Sequence, residues 1–330
     1  MTTQVSMNEQ VAKLFNHKIP IAYQSIHKQY TRLAAHHGWE NHDKSVWPIS
    51  VDNIMKFLTF KAAEVAPHTL KTYVSGLAYL HRITKHFSWD KEVGKHPAVL
   101  MLLKNTVKMH KHNKPTQSQH LTHDMLKLIR NKLDLGQEDH LLLWTICTVA
   151  FHTMARLSEL VAASANDTEN VVTLESVRME EVGGEMGASI LLPRSKTHDP
   201  AVPAVLCIDP TGNETCPLVA LSRYLLMRHG KGYAEETNIL FCYRDNEPVT
   251  RNQVMNSVHH CLPGEKLDAR SFRSGGATHW VLQGMPDLVI QREGRWSTNA
   301  FQRYIRYTVP VRRAIKARHK KNNNGSQLLI

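Results

Sequence analysis

Apolar residues recur at spacings of three and four over most of the first hundred positions, the period of a helix with one buried face. Pro20 opens the first run, with Ile21, Ile26, Tyr30, Leu33 and Ala34 on one side. Ser50 is placed to cap a second, before Ile54, Phe57, Leu58 and Lys61. The clearest run is Thr69 to Ile83, where Leu70, Tyr73, Val74, Leu77, Leu80 and Ile83 form a stripe, with Lys71, Ser75, Arg82 and Lys85 elsewhere around the helix. A fourth helix starts at Pro97 and passes through Leu100, Leu103 and Val107 to His110. Four short amphipathic helices predict a small bundle over residues 1–110.

The periodicity stops at Lys111–Gln119 (KHNKPTQSQ), a polar stretch holding Pro115, which reads as a linker. Helical spacing resumes from Leu121-Thr122 to Leu133. The run Leu141 to Phe151 is apolar throughout; at eleven residues it falls short of the roughly 20 that span a bilayer, and predicts a buried helix. The texture then changes. Val171 to Val177, Ser189 to Leu192 and Val202 to Ile208 are β-branched runs that predict strands, with turns at Gly183, Gly184 and Gly187. Helices return at Pro217 to Arg228 and, in pieces, from Arg251 to Arg318; Lys320 to Gln327 (KKNNNGSQ) reads as a frayed tail. The fold class expected is mainly α: a helical domain at 1–110, a linker at 111–119, an α+β domain with a small antiparallel sheet at 120–318, and a flexible tail at 319–330.

Charge narrows the partners. Lys and Arg number 41 against 29 for Asp and Glu, a formal charge of +12, so a polyanion such as nucleic acid is the expected partner. Five Cys form no CxxC pair, which points away from a zinc ribbon and a disulfide framework and toward a reducing compartment. No apolar stretch follows a basic start in Met1 to Pro20, so a signal peptide is not expected, nor a membrane partner. The pairs His36-His37, His110/His112 and His259-His260 lack metal-site spacing, and no metal or other cofactor is expected.

Three segments concentrate arginine and hydroxyl groups. In Thr153–Leu160, Arg156 ends the buried helix and Glu159, three residues on, is placed to hold its guanidinium; a structural ion pair accounts for these two equally well. Leu192–Asp199 carries Arg194, Ser195, Lys196 and Thr197 at a strand end, where a solvated turn is the plain alternative. The third runs from Asp268 through Arg270, Arg273, Gly275 and Gly276 to Thr278, then from Gly294 through Arg295 and Trp296 to Tyr304. Its small residues permit close backbone approach, and a Tyr among arginines is by itself most often a packing residue.

Taken in order, Arg-x-Ser-Glu-Leu, a hairpin Ser-Lys-Thr, Arg-x-Gly-Gly-Ala-Thr and Gly-Arg-Trp-Ser…Tyr resemble the tyrosine recombinase (phage integrase) family, closest in flavour to the Crypton and DIRS-type members of eukaryotic mobile elements. Thr69–Leu77 resembles the helix of that family's core-binding domain, and Cys216–Leu225 the helix that follows its sheet. The resemblance implies a SAM-like four-helix bundle and a catalytic domain of the DNA breaking-rejoining type, closing on a duplex as a two-domain clamp. It implies that Arg156 and Arg273 hold the scissile phosphate, that Lys196 protonates the departing 5′ oxygen, and that Tyr304 forms a 3′-phosphotyrosyl link. Trp296 resembles the residue that donates an N–H to the phosphate, with Arg295 the competitor for that slot. It further implies phosphate contacts from Lys71, Arg82, Lys104, Lys108 and Lys111, a homotetramer on paired DNA sites, and a C-terminal helix, Val311 to Arg318, docked on a neighbouring protomer. A nuclear location follows if the source is such an element, and a nucleoid or cytoplasmic one otherwise.

These roles suit the chemistry. Attack on a phosphodiester builds negative charge that guanidinium forks stabilise. A phenol is a weak nucleophile that nearby cations activate. One position departs from the pattern: the family's His-x-x-Arg is Arg270-Ser271-Phe272-Arg273 here, so the resemblance places Arg270 among the catalytic residues as a cation that neutralises phosphate charge but cannot serve as a base toward Tyr304. Two rival functions follow: a catalytically impaired, recombinase-derived DNA-binding protein, and a type IB topoisomerase-like relaxing activity.

Overall fold

A computed structural model describes residues 20–39, 46–83, 89–109, 119–193, 204–232, 238–243 and 246–325. The chain divides into two compact units, Met1–Gln117 and Ser118–Ile330. In the first, four α-helices are described: α1 (Ile21–His37), α2 (Val51–Ala62), α3 (Pro67–Ile83) and α4 (Pro97–Met109). Ser50 caps α2, its Oγ accepting from the Asn53 N–H at 3.1 Å. The core follows the expected stripes, with Ile26, Tyr30, Ala34, Ile54, Phe57, Leu58, Leu70, Leu77 and Leu80 all buried. On α4 the buried face is Val99, Leu103 and Thr106; Leu100, 50% exposed, and Val107 instead face solvent. His81 ties the unit together: its Nδ1 faces the Leu77 carbonyl at 2.8 Å and its Nε2 accepts the Ile49 N–H at 2.9 Å.

The second unit begins with a non-helical segment and α5 (His123–Lys132), capped by Thr122, followed by α6 (Glu138–His152). Every residue of α6 from Leu141 onward is buried, because α8 (Pro217–Gly230) and α10 (Ala269–Leu282) pack against it. The sheet is a three-stranded antiparallel meander: β1 (Val177–Val182), β2 (Glu185–Leu192) and β3 (Ala204–Ile208). Gly183 and Gly184 make the first turn with φ of +63° and +84°, the two-residue turn that suits the strand twist. Ala188, Ile190, Leu192, Leu206 and Ile208 alternate onto the core face. Three expectations change here. Val171 and Val172 are buried loop residues ahead of β1 rather than a strand, and Gly187 lies within β2 rather than in a turn. The third concerns the end of the chain: α12 (Val309–Gly325) continues as a helix where a frayed tail was expected.

The remaining elements are the short α7 (Leu157–Leu160), α9 (Arg251–Cys261), α11 (Asp287–Glu293) and a 3-10 turn, Asn299–Arg303. A small second core of Met154, Ala277, Val281, Ile290, Trp296, Phe301 and Val311 joins α10, α11, the 3-10 turn and α12. Val311 is fully buried in it, so α12 packs on α10 of its own chain. Among the described residues no helix is long and apolar enough to cross a membrane.

Candidate functional site

Two glycines seat α10. A Cβ at Gly275 would lie 1.9 Å from the Leu121 carbonyl oxygen, and one at Gly276 2.0 Å from that of Phe151, so only glycine lets the helix reach both. That seating sends Arg273 inward to 1% exposure. Its Nη1 donates to the Met154 carbonyl and its Nη2 to the Gly294 carbonyl, both at 2.5 Å. Both acceptors belong to tight turns: Met154 has φ +51°, and Arg295, beside Gly294, has φ +57°. Side chains rarely adopt that backbone region, and strain of this kind collects at sites where geometry has been fixed for function.

Around this guanidinium the other residues converge. Arg156 precedes α7, and its Nη1 donates to Glu159 Oε1 at 2.5 Å. Glu159 Oε2 accepts from the Arg156 backbone N–H at 2.9 Å and from Arg295 Nη2 at 2.7 Å. One buried carboxylate therefore fixes two arginines, one of them 136 residues away along the chain. Burial pushes the Glu159 carboxyl up, but Arg295 and the Arg156 N–H and guanidinium outweigh it, so its pKa is lowered. Burial first, then repulsion from Arg156 and Arg295, lowers the Arg273 pKa to about 10, which leaves it a cation at neutral pH.

The aromatic groups close the site. Trp296 folds back over Gly294, where a Cβ would overlap its ring, and the Arg273 guanidinium carbon lies 4.1 Å from the Trp296 ring centre. The half-buried Tyr304 follows the 3-10 turn, its ring centre 5.4 Å from the same carbon and 5.3 Å from that of Trp296. Among the described residues, Arg273 Nε, Arg295 Nε and Trp296 Nε1 are buried without a hydrogen-bond partner. Buried donors are nearly always satisfied, and three of the unpaired ones belong to this single cluster.

The structure thus brings together Arg156, Glu159, Arg273, Arg295, Trp296 and Tyr304. Arg270 stands apart: its side chain is 82% exposed and its Nε lies 3.5 Å from Asp268 Oδ2. It is a rim residue and does not enter the cluster. Lys196 lies outside the described residues, in the connection between antiparallel strands β2 and β3. Lys71, Arg82, Lys104 and Lys108 are exposed on the first unit, and Lys111 is outside the described residues.

Sequence reading missed two sets of histidines. His123, His152 and His279 form a cluster in which His123 and His279 stack at 4.6 Å, and His123 Nε2 and His152 Nε2 lie 2.9 and 3.3 Å from Thr215 Oγ1. They come from three distant helices, so no spacing announces them. His120 is half-buried in the segment before α5; burial, then the charge of Arg306, lowers its pKa. No three of the described His, Cys, Asp and Glu residues are placed to hold a metal ion. The pairs weighed in the sequence behave as surface or packing groups: His36 and His37 are exposed in contact with each other, and His259 Nε2 lies 2.9 Å from the Leu267 carbonyl. His110 and His112 are outside the described residues.

No protein-family model matches the chain, and no curated protein sequence does. Its fold is that of solved tyrosine recombinases and integrases. A lambda integrase (75–356) dimer bound to a COC′ core site superposes with TM-score 0.56 at 15% identity, covering 90% of this chain and 93% of that one. The Tn1549 transposon integrase (aa 82–397, Y379F), in complex with transposon right end DNA, gives 0.53 at 14%, covering 95% and 98%. The XerH site-specific recombinase, in a pre-cleavage complex with difH substrate, gives 0.53 at 15%, covering 91% and 80%.

Proposed function

We propose that this protein is a DNA strand-transfer enzyme, a site-specific recombinase or integrase that cuts and rejoins a duplex through Tyr304. The observation that carries the reading is the set of buried, unpartnered N–H groups of Arg273 and Trp296, which face the Tyr304 ring, and of Arg295, joined to the same cluster through Glu159. A phosphodiester oxygen is the ligand whose charge and geometry answer such donors. In the reaction, Tyr304 Oη bonds to phosphorus and the bond from phosphorus to the 5′ oxygen breaks. The departing oxygen takes a proton from Lys196, and a 3′-phosphotyrosyl ester remains. Attack by another 5′ hydroxyl reverses the step. One ester is exchanged for another, so rejoining needs no nucleotide. Arg156, Arg273 and Arg295 oppose the charge that builds on the non-bridging oxygens, and cations preorganised by Glu159 and two backbone carbonyls need little rearrangement to do so.

In this reading the bundle of residues 1–110 grips the DNA backbone through Lys71, Arg82, Lys104, Lys108 and Lys111, which makes affinity fall steeply with salt. The domain of residues 120–318 carries the chemistry, and exchange between two duplexes requires several protomers. Arg270, turned to solvent, favours the rival of a non-catalytic DNA-binding descendant, whereas the other clustered groups argue for an active enzyme.

The test is covalent capture on duplexes from the flanks of its own gene, each carrying a nick that lets the cleaved end diffuse away. The wild-type protein should form an adduct stable on a denaturing gel. Tyr304→Phe should abolish it, and Tyr307→Phe, at a side chain 71% exposed, should not. An adduct that persists in Tyr304→Phe refutes the assignment.

A further inference from the structure

Three imidazoles meet where α5 begins, α6 ends and α10 passes, and hydrogen bonds fix what two of them can do. Burial first, then Lys127 at His123 and the neighbouring rings at the other two, lowers all three pKa values, that of His152 to about 3 and that of His279 to about 4. The rings are therefore neutral at pH 7. The Asn213 amide is oriented by the backbone: its Oδ1 accepts the Thr215 N–H at 2.9 Å and its Nδ2 donates to the Thr211 carbonyl at 3.2 Å. The Thr215 hydroxyl, 2.7 Å from that same Oδ1, directs its one proton there. Its oxygen is left to accept from His123 Nε2 at 2.9 Å and from His152 Nε2 at 3.3 Å. Both rings are thus Nε2–H tautomers, and each Nδ1 is a lone-pair acceptor without a partner among the described residues. On His152, only 7% exposed, such an acceptor calls for a donor.

The three rings line a cavity of about 260 Å³. That is several times the roughly 30 Å³ of a water molecule, room for a small planar group on a short alkyl chain. The charge of the lining is unusual for this chain. The protein carries a formal +12, yet no Lys or Arg is among the described residues of the cavity, and Asp209 adds an exposed carboxylate. Lys127, whose charge reaches His123, lies outside the lining and is paired with Glu214 at 3.5 Å. Flat faces come from Trp280 and from the stacked rings of His123 and His279, 18° apart in plane.

We propose that this cavity is a binding site for a guanidinium group, a planar cation whose several N–H donors are answered by the Nδ1 atoms of His123 and His152 and by the Asp209 carboxylate. Guanidinium is donor-only and stacks on aromatic faces, which matches a wall of acceptors and rings. A phosphate would meet lone pairs and a like charge. The site is therefore distinct from the arginine cluster and selects the opposite charge. It nevertheless adjoins that cluster: Thr153 lines the cavity, and Met154, next in the chain, gives its carbonyl to Arg273.

The experiment is titration of the full chain at pH 7 with agmatine, a free alkylguanidine, and with acetyl-Ala-Arg-Ala-amide, followed by NMR of the histidine ring nitrogens and by calorimetry. Agmatine should move the Nδ1 signals of His123 and His152 and leave both Nε2–H tautomers in place. Asp209→Asn and His152→Gln should each weaken its binding about tenfold, the factor that one hydrogen bond to a charged group is worth. Asp209 is exposed, so its variant carries the test even where His152→Gln does not fold. Butylamine, charged but without the planar fork, should bind about tenfold more weakly than agmatine, and inorganic phosphate should leave the ring signals unmoved. Binding of agmatine alone assigns the site to a free small molecule; equal binding of the peptide assigns it to an arginine side chain of a polypeptide. The proposal is overturned if neither guanidine moves the ring signals, if butylamine or phosphate binds as well as agmatine, or if Asp209→Asn keeps the wild-type affinity.

Discussion

His152 closes α6 with only 7% of its surface exposed, packed against His279 at 6.0 Å and His123 at 6.4 Å between ring centres. Burial, then the neighbouring His279 and His123, lowers its pKa to about 3. The unfolded chain releases the same proton near pH 6.5. Between those values the unfolded state binds a proton that the folded state refuses, so stability falls as the pH drops from 6.5 toward 3. Above pH 6.5 neither state is protonated and His152 contributes nothing to the pH dependence. At pH 5 the deficit is 1.5 pH units, or about 2 kcal/mol at 1.36 kcal/mol per unit. Native-state hydrogen exchange on the amides of α6 and α10 reads the opening of this unit alone. Comparing pH 7.5 with pH 5.0, the wild-type protein should lose about 2 kcal/mol more protection than His152→Gln, whose amide can still donate to Thr215. Equal losses in the two proteins would show that the imidazole is not held neutral, and the reasoning would fail.

The other predictions concern the site. Glu159→Gln leaves Arg156 and Arg295 without their shared counter-ion, and should cost about 3 kcal/mol, the lower end for breaking a buried pair; a thermal melt unchanged from wild type would contradict the pairing. Gly276→Ala places a methyl group 2.0 Å from the Phe151 carbonyl oxygen. It should destabilise the unit by more than about 1 kcal/mol and suppress adduct formation, since α10 must lift off α6 and take Arg273 with it. Full activity and stability in that variant would argue against the close seating of α10.

Cis-acting local signals were the legible part. The apolar stripes of α1 to α3, the Ser50 cap and the all-apolar run in α6 each state their own structure, because helix period and capping are settled within a few residues. The chemistry-bearing types were legible too: Arg156, Arg273, Trp296 and Tyr304 stand out as residues that an ordinary core does not gather. Where local propensity competes with packing, sequence reading slipped. Val171 and Val172 have strand-like side chains, yet the Leu240 N–H bonding to the Val172 carbonyl buries them in an irregular segment. On α4 four apolar types share two faces, and only the neighbouring helices decide that Val99 and Leu103 turn inward.

The amino-acid order by itself determined a mainly helical chain with a basic excess and a stock of arginines, a tryptophan and a tyrosine suited to holding a phosphate. Tertiary structure decided which of them meet. Arg295 joins Arg156 through Glu159, Arg270 is left on the rim, and the Gln119 carbonyl is fastened to Ser271 at the start of α10. The physical reason is that an ion pair or a buried donor is settled by neighbours in space. Here those neighbours are brought together by two glycines without side chains and two left-handed turns, features whose consequences lie more than a hundred residues away along the chain.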